Sequence, residues 1–142
     1  MLKDSLFTHV YKMTIPFFDV DMLEIVWHGN YIKYFEMARC SMLKEIGYDY
    51  IAMKKDGFAW PIVDIKAKFI KSARFGQDID IYCDLIEFEN RLKINYTILD
   101  SLTKIKLCQG YTTQLAVDIN KKETCFVTPH QWQQKIKEII RR

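Results

Sequence analysis

Apolar and polar residues alternate from the first segment of the chain. Between Phe7 and Phe17, His9, Tyr11, Met13 and Ile15 interleave with Thr8, Lys12 and Thr14, which is the period of a strand with one face on a core. Pro16 and Phe18-Asp19-Val20-Asp21 end that strand, because proline has no N–H for a ladder and aspartate favours turns. From His28 to Gly47 the period lengthens. Ile32, Phe35, Met42 and Ile46 fall on one helical face, Tyr31, Ala38 and Leu43 lie beside them, and Lys33, Lys44 and Glu45 face away. Gly47 is placed to close the helix in a left-handed cap. Residues 48–60 read as an irregular segment with room for a helical turn.

Strand periodicity then returns. Val63, Ile65, Ala67 and Phe69 alternate with Asp64, Lys66 and Lys68; Ile79, Ile81, Cys83 and Leu85 with Asp78, Asp80 and Asp84; Leu92, Ile94, Tyr96 and Ile98 with Lys93, Asn95 and Thr97. The rhythm predicts one further strand from Ile105 to Ile119, with Leu107, Tyr111, Leu115 and Val117 on its apolar face. Turns at Glu89-Asn90-Arg91 and Asp100-Ser101-Leu102-Thr103 make these an antiparallel meander. After Asn120-Lys121-Lys122 comes a short strand. Thr128 as N-cap, Pro129 at the first helical position and Gln131 in a capping box then predict a C-terminal helix. One strand, one long helix, a run of antiparallel strands and a last helix make an α+β domain whose sheet covers the long helix.

The length, 142 residues, suits a single domain spanning residues 1–142. The net charge of +3 comes from lysines scattered over strands and turns, which argues against a nucleic-acid partner and permits a small anionic ligand. Cys40, Cys83, Cys108 and Cys125 form no CxxC pair and have no histidine at ligand spacing, so neither a metal site nor a redox motif is expected. Met1-Leu2-Lys3-Asp4-Ser5 runs straight into the first strand without a leader-like apolar run, and no stretch reaches ~18 apolar residues; a cytoplasmic protein without membrane insertion is expected.

Candidate chemistry gathers where the first strand gives way to the long helix: Asp19, Asp21, Glu24 and His28. A helix N-terminus offers unpaired N–H groups and a positive dipole end to negative charge developing on a carbonyl oxygen. A carboxylate within reach of the same carbonyl carbon attacks it or activates a water. The plainer reading of the same residues is capping by the aspartates and a surface histidine.

The residues themselves resemble a known family. Phe18-Asp19-Val20-Asp21-Met22-Leu23-Glu24-Ile25-Val26-Trp27-His28-Gly29-Asn30-Tyr31, followed by Tyr34-Phe35-Glu36-Met37-Ala38-Arg39, is similar to the signature of the 4-hydroxybenzoyl-coenzyme A thioesterase family. Phe69 to Asp78, Gly110-Tyr111-Thr112-Thr113 and Val117-Asp118 extend the likeness over nearly the whole chain. The resemblance implies a hotdog fold, an antiparallel sheet wrapped around one long central helix. It also implies an acyl-coenzyme A substrate, no cofactor, and a homodimer, with a homotetramer as the larger alternative, that builds its sites at the subunit interface. By the same resemblance Asp21 is the catalytic carboxylate, as nucleophile or as general base. The backbone N–H at His28 polarises the thioester carbonyl, the His28 side chain orients substrate or water, and Gly29, Asn30 and Tyr31 border the substrate. Burial near Met22, Ile25 and Trp27 would raise the pKa of Asp21 and the helix end would lower it, so its net shift stays open.

Glu24 is a departure, since the family often has glycine there. It stands as a reserve carboxylate, as does Glu36, whose spacing from Arg39 otherwise suits an ion pair on the helix. Lys71 and Arg74 read either as a solvated turn or as contacts to coenzyme A phosphates. Phe58 and Trp60, ahead of Pro61, read as core or as an acyl pocket supplied by the partner subunit. Two other activities stay in view: hydration of an enoyl thioester, and non-catalytic binding of an acyl thioester, since a fold does not fix an activity.

Overall fold

A computed structural model describes residues 4–141 of the chain. The expected run of Met1 to Lys3 into the first strand lies outside the described residues. In order the elements are β1 (Phe7–Thr14), a 3-10 turn (Phe17–Asp19), α1 (Asn30–Ile46), α2 (Tyr50–Lys55), β2 (Phe58–Ala59), β3 (Ile62–Phe69), β4 (Asp78–Glu87), β5 (Leu92–Asp100), β6 (Lys106–Gln114), β7 (Val117–Asp118), β8 (Glu123–Thr124) and α3 (His130–Ile140).

Five strands form an antiparallel sheet in the order β1-β4-β5-β6-β3, so the first strand and the strand after the helices are its two edges. The inner face carries the apolar positions anticipated on β4 and β5: Ile79, Ile81, Cys83, Leu85, Ile94, Tyr96 and Ile98 are all buried. Across it lies α1, burying Tyr31, Tyr34, Phe35, Ala38, Met42, Leu43 and Ile46. Phe35 stacks on Tyr96 with ring centroids 4.4 Å apart. Gly47, at φ 87°, ends α1 in the expected left-handed cap, its N–H bonded to the carbonyls of Leu43 and Lys44.

Two positions depart from the simple helical stripe. Ile32 is only half-buried, and the buried face includes a charge, Arg39. Its guanidinium donates to the hydroxyls of Tyr50 (2.8 Å) and Tyr96 (3.3 Å) and pairs with Glu36. Burial alone would lower the pKa of Arg39, but these partners outweigh it and hold the charge more firmly than usual. The segment 48–60 contains a true helix, α2, capped by the Asp49 carboxylate accepting from Ala52 N–H at 2.9 Å.

The single strand expected from Ile105 to Ile119 is two. β6 stays in the large sheet, whereas β7 pairs with β2 and β8 in a small sheet of its own. Tyr111, expected inward, points outward: its hydroxyl donates to Asp64 and its ring lies 4.8 Å beneath Lys93 Nζ. The inward positions of β6 are Cys108, Gly110, Thr112 and Gln114, which carry almost no hydrophobic signal. Gly110 is small because a Cβ there would lie 2.0 Å from the Lys66 carbonyl oxygen and 3.0 Å from Phe35. Thr112 bonds the Tyr96 hydroxyl (2.7 Å), and Gln114 donates to the Trp60 carbonyl (2.7 Å).

Thr128 does not cap α3. The cap residue is Pro129, with no side-chain hydrogen bond. The Thr128 hydroxyl instead meets the carbonyls of Phe88 (2.7 Å) and Glu89 (2.9 Å), and Gln131 is exposed. The Trp132 indole also donates to Phe88 (3.0 Å), while its ring packs on Tyr48 and Trp60, so α3 is fastened to the end of β4 and to the far end of α1.

Candidate active site

The segment expected to carry the chemistry is a small hairpin. Val20 bridges Val26, Asp21 N–H donates to the Ile25 carbonyl (2.9 Å), and Glu24 N–H returns to the Asp21 carbonyl (2.9 Å). A tight turn of this kind, followed by a left-handed residue, is a common three-residue hairpin loop. Glu24 is that residue, at φ 63°. The family's usual glycine is the residue such a position favours, so the departure changes the local strain and leaves the turn in place.

Three ties hold the hairpin. Its base is Asp19, which is buried and accepts from Lys33 Nζ (2.6 Å) and the Tyr34 hydroxyl (2.7 Å), both on the first turns of α1. Burial, reinforced by the bond to Asp19, pushes the Tyr34 phenol far up. The Asp19 carbonyl takes two more bonds, from Trp27 N–H (3.1 Å) and Asn30 Nδ2 (2.8 Å). The hairpin's second strand continues into the loop after β3, with Val26 N–H bonded to Ala73 and Ile25 bridging Arg74. Asp19 is therefore the anchor of the cluster, while Asp21 sits exposed at the turn.

Asp21 lines a cleft of about 270 Å³ together with Trp27, His28, Tyr31, Phe69 and Lys71. One carboxylate oxygen, Oδ1, accepts from Leu23 N–H at 2.8 Å. Among the described residues Oδ2 has no hydrogen-bond partner. The N–H groups of His28 and Gly29, directly ahead of α1, also make no hydrogen bond among the described residues, whereas those of Asn30 and Tyr31 turn back to the Trp27 and His28 carbonyls. The residues lining the cleft thus include a carboxylate, Asp21, one residue with an unpaired N–H at a helix N-terminus, His28, and an ammonium group, Lys71.

Aromatic rings form one wall. Trp27 and His28 lie 5.0 Å apart, His28 and Phe69 6.1 Å, and Tyr31 and Phe69 5.3 Å. Tyr31 accepts from Ala73 N–H at 2.9 Å, and burial raises its phenol pKa. Gly29 does not line the cleft but makes it possible: a Cβ there would lie 2.1 Å from the Trp27 ring. The side chain of Asn30 is spent on the Asp19 carbonyl.

The other candidates lie elsewhere in the chain. Glu24 and Arg74 do not line the cleft, and Glu36 borders a different groove while paired with Arg39. Phe58 and Trp60 line an apolar groove of about 590 Å³ with Tyr50, Met53, Val117 and Ile119. The residues that sequence reasoning did not assign to the site, Trp27, Phe69, Ile70 and Ser72, come together because the end of β3 runs beside the start of α1. Among the described residues no group of three His, Cys, Asp or Glu side chains is placed to hold a metal ion, and no helix is long and apolar enough to cross a membrane.

A sheet wrapped about one long helix, with a carboxylate hairpin at the helix N-terminus, defines the class as hotdog proteins. The sequence profile of the thioesterase-like superfamily matches residues 15–138, and the chain belongs to that superfamily. YneP of Bacillus subtilis, provisionally designated an acyl-CoA thioesterase, is 32% identical over 90 residues, covering 62% of this chain and 64% of YneP. The Synechocystis protein sll0410, provisionally designated an esterase, is 30% identical over 95 residues, 66% of this chain and 57% of its own. The matched stretch spans less than two thirds of the length of these relatives. Slr0204 of Synechocystis, a 1,4-dihydroxy-2-naphthoyl-CoA thioesterase, shares the fold with a TM-score of 0.82 over 94% of this chain and 98% of that one, at 18% identity.

Proposed function

We propose that the cleft at the N-terminus of α1 hydrolyses acyl-coenzyme A thioesters in the manner of the 4-hydroxybenzoyl-coenzyme A thioesterase family, and accepts acyl carriers with the same pantetheine arm. The observation that carries this reading is the meeting, in one cleft, of Asp21 with His28, whose N–H ahead of α1 is unpaired among the described residues, in a chain of the thioesterase-like superfamily. The N–H group of His28, ahead of α1, takes the charge that forms on the carbonyl oxygen. With Oδ1 held by Leu23, Oδ2 of Asp21 either bonds to the carbonyl carbon and expels the thiolate, or takes a proton from the water that does so. In the first case water then cleaves the mixed anhydride, and both routes return Asp21 ionised. The thiolate is a good leaving group, so this donor set is sufficient for the chemistry. His28 orients substrate or water, and Lys71 meets the coenzyme A phosphates.

The working unit in this reading is a homodimer. β3 is an edge strand whose apolar residues stay open, with Val63 53%, Ile65 41% and Phe69 52% exposed. Antiparallel pairing of β3 with its own copy is isologous and closed, and it covers that face. The Phe58 and Trp60 groove of each subunit then supplies the acyl pocket of the other. The cysteines are free thiols, which suits the cytoplasm.

Free-thiol release from short, long and aromatic acyl-coenzyme A esters tests the reading, with wild type compared with Asp21→Asn. Turnover by the wild type and a loss of about a hundredfold or more in a folded variant support it. Tight acyl-coenzyme A binding with no thiol released from any ester supports a binding module instead, and a 3-hydroxyacyl product from an enoyl thioester supports a hydratase.

A further inference from the structure

A second constellation uses none of the residues lining the Asp21 cleft. His9, on β1, reaches two residues of α1: its Nδ1 lies 2.6 Å from Glu45 Oε1 and its Nε2 lies 2.8 Å from Ser41 Oγ. An ionised carboxylate can only accept, so Nδ1 carries the proton shared with Glu45. In the neutral ring the lone pair is then on Nε2, where the Ser41 hydroxyl donates to it. Hydroxyl, imidazole and carboxylate thus stand in the order in which a serine is activated as a nucleophile, with the carboxylate fixing the tautomer and bearing of the ring.

The supports are rigid. Ser41 and Glu45 are one helical turn apart on α1, and His9 is held by the β1 to β4 ladder opposite Cys83. The His9 side chain is 14% exposed, which shields the ring from competing water, while Ser41 remains half-buried and open on one side. That side is a groove of about 450 Å³ whose walls include Tyr11, Met37, Cys40 and Lys44. The groove also borders Lys33 and Glu36, which are held by Asp19 and Arg39 respectively. Lys44 lines the same groove as Ser41 and, among the described residues, makes no ion pair. Because Ser41 lies in mid-helix, its neighbouring N–H groups are committed to the helix and form no oxyanion site. Among the described residues Lys44 is the groove's unpaired cation and the charge that would meet an oxyanion there.

We propose that Ser41 is a second nucleophilic centre of this protein, activated by His9 and Glu45, which accepts the acyl group of an ester whose apolar chain lies in the groove beside it. Oγ bonds to the ester carbonyl carbon while its proton passes to Nε2 of His9. The carbon–oxygen bond to the leaving alcohol then breaks, and the alcohol departs with that proton. Water, deprotonated by the same nitrogen, cleaves the acyl-serine to release the acid and restore Ser41.

An alkyl fluorophosphonate reports on this centre in the full-length protein, since Oγ–P bond formation expels fluoride and passes the serine proton to His9. Intact-mass and peptide-mass measurements are expected to show one adduct per chain, on Ser41, and none in Ser41→Ala. Labelling should slow about a hundredfold in His9→Gln. Glu45→Gln, an isosteric change at a side chain 44% exposed, should slow it as well and covers the case in which the His9 variant does not fold. Ser41→Ala should release thiol from acyl-coenzyme A as the wild type does, which separates this centre from the Asp21 cleft. Absence of a Ser41 adduct after prolonged exposure, or labelling at the wild-type rate in folded His9→Gln or Glu45→Gln protein, would overturn the proposal.

Discussion

The hairpin turn shows how one residue sets local strain from outside the cleft. Glu24 occupies a left-handed backbone conformation at φ 63° and does not line the cleft. A side chain in that conformation costs about 1–2 kcal/mol, of which the greater unfolded freedom of glycine would return about 0.5–1. Glu24→Gly should therefore raise stability by roughly 0.5–1 kcal/mol in urea denaturation, with thiol release retained. Loss of turnover in the folded variant would instead give Glu24 a direct part in the reaction. That Asp21 lines a cleft could be anticipated from the sequence because it belongs to a recognisable run of residues. The anchoring role of Asp19 could not, because two aspartates two residues apart differ only in which one the 3-10 turn brings under α1, where Lys33 and Tyr34 wait for it.

At the scale of elements, the parts legible in the sequence were those with strong periodicity and conformational punctuation: β1, β4, β5 and the left-handed end of α1 at Gly47. β6 was misread for a physical reason. Its inward residues were selected for fit and hydrogen bonding, with Gly110 clearing Phe35 and Thr112 meeting Tyr96, so hydrophobic alternation is absent where the sheet touches the helix most closely. The same cause hid Arg39, a buried charge on a helical face. Its carboxylate partner, Glu36, is 41% exposed, which moderates the effect of removing it. Glu36→Ala should cost about 2 kcal/mol, less than the roughly 3–5 kcal/mol for breaking a fully buried pair, and should leave thiol release intact wherever the protein is folded. A folded variant without activity would favour a catalytic carboxylate on α1 over the one proposed on the hairpin.

For the whole molecule, the uncovered side of β3 is the feature that a single chain leaves unresolved. An edge with three exposed apolar residues invites pairing, and in the proposed homodimer a second copy satisfies the β3 edge in one closed contact. Ile65→Lys changes a residue already 41% exposed in the isolated chain, so folding should survive. If the proposed homodimer forms, light scattering should show its mass halved in the variant and activity should fall with it; an unchanged dimeric mass would place the subunit contact elsewhere, and a monomeric wild type would overturn the homodimer. The sheet order has a consequence for synthesis too. β1 is made first but pairs only with β4, and the Thr8 to Asp84 bond joins residues 76 apart in the chain. At about 5–20 residues per second on the ribosome, β1 waits about 4–15 s for its partner. Once synthesis passes Ile46, α1 is the long element against which the nascent strand can shelter its apolar side for the rest of that interval, so the hairpin that joins them is the first part of the cleft able to form.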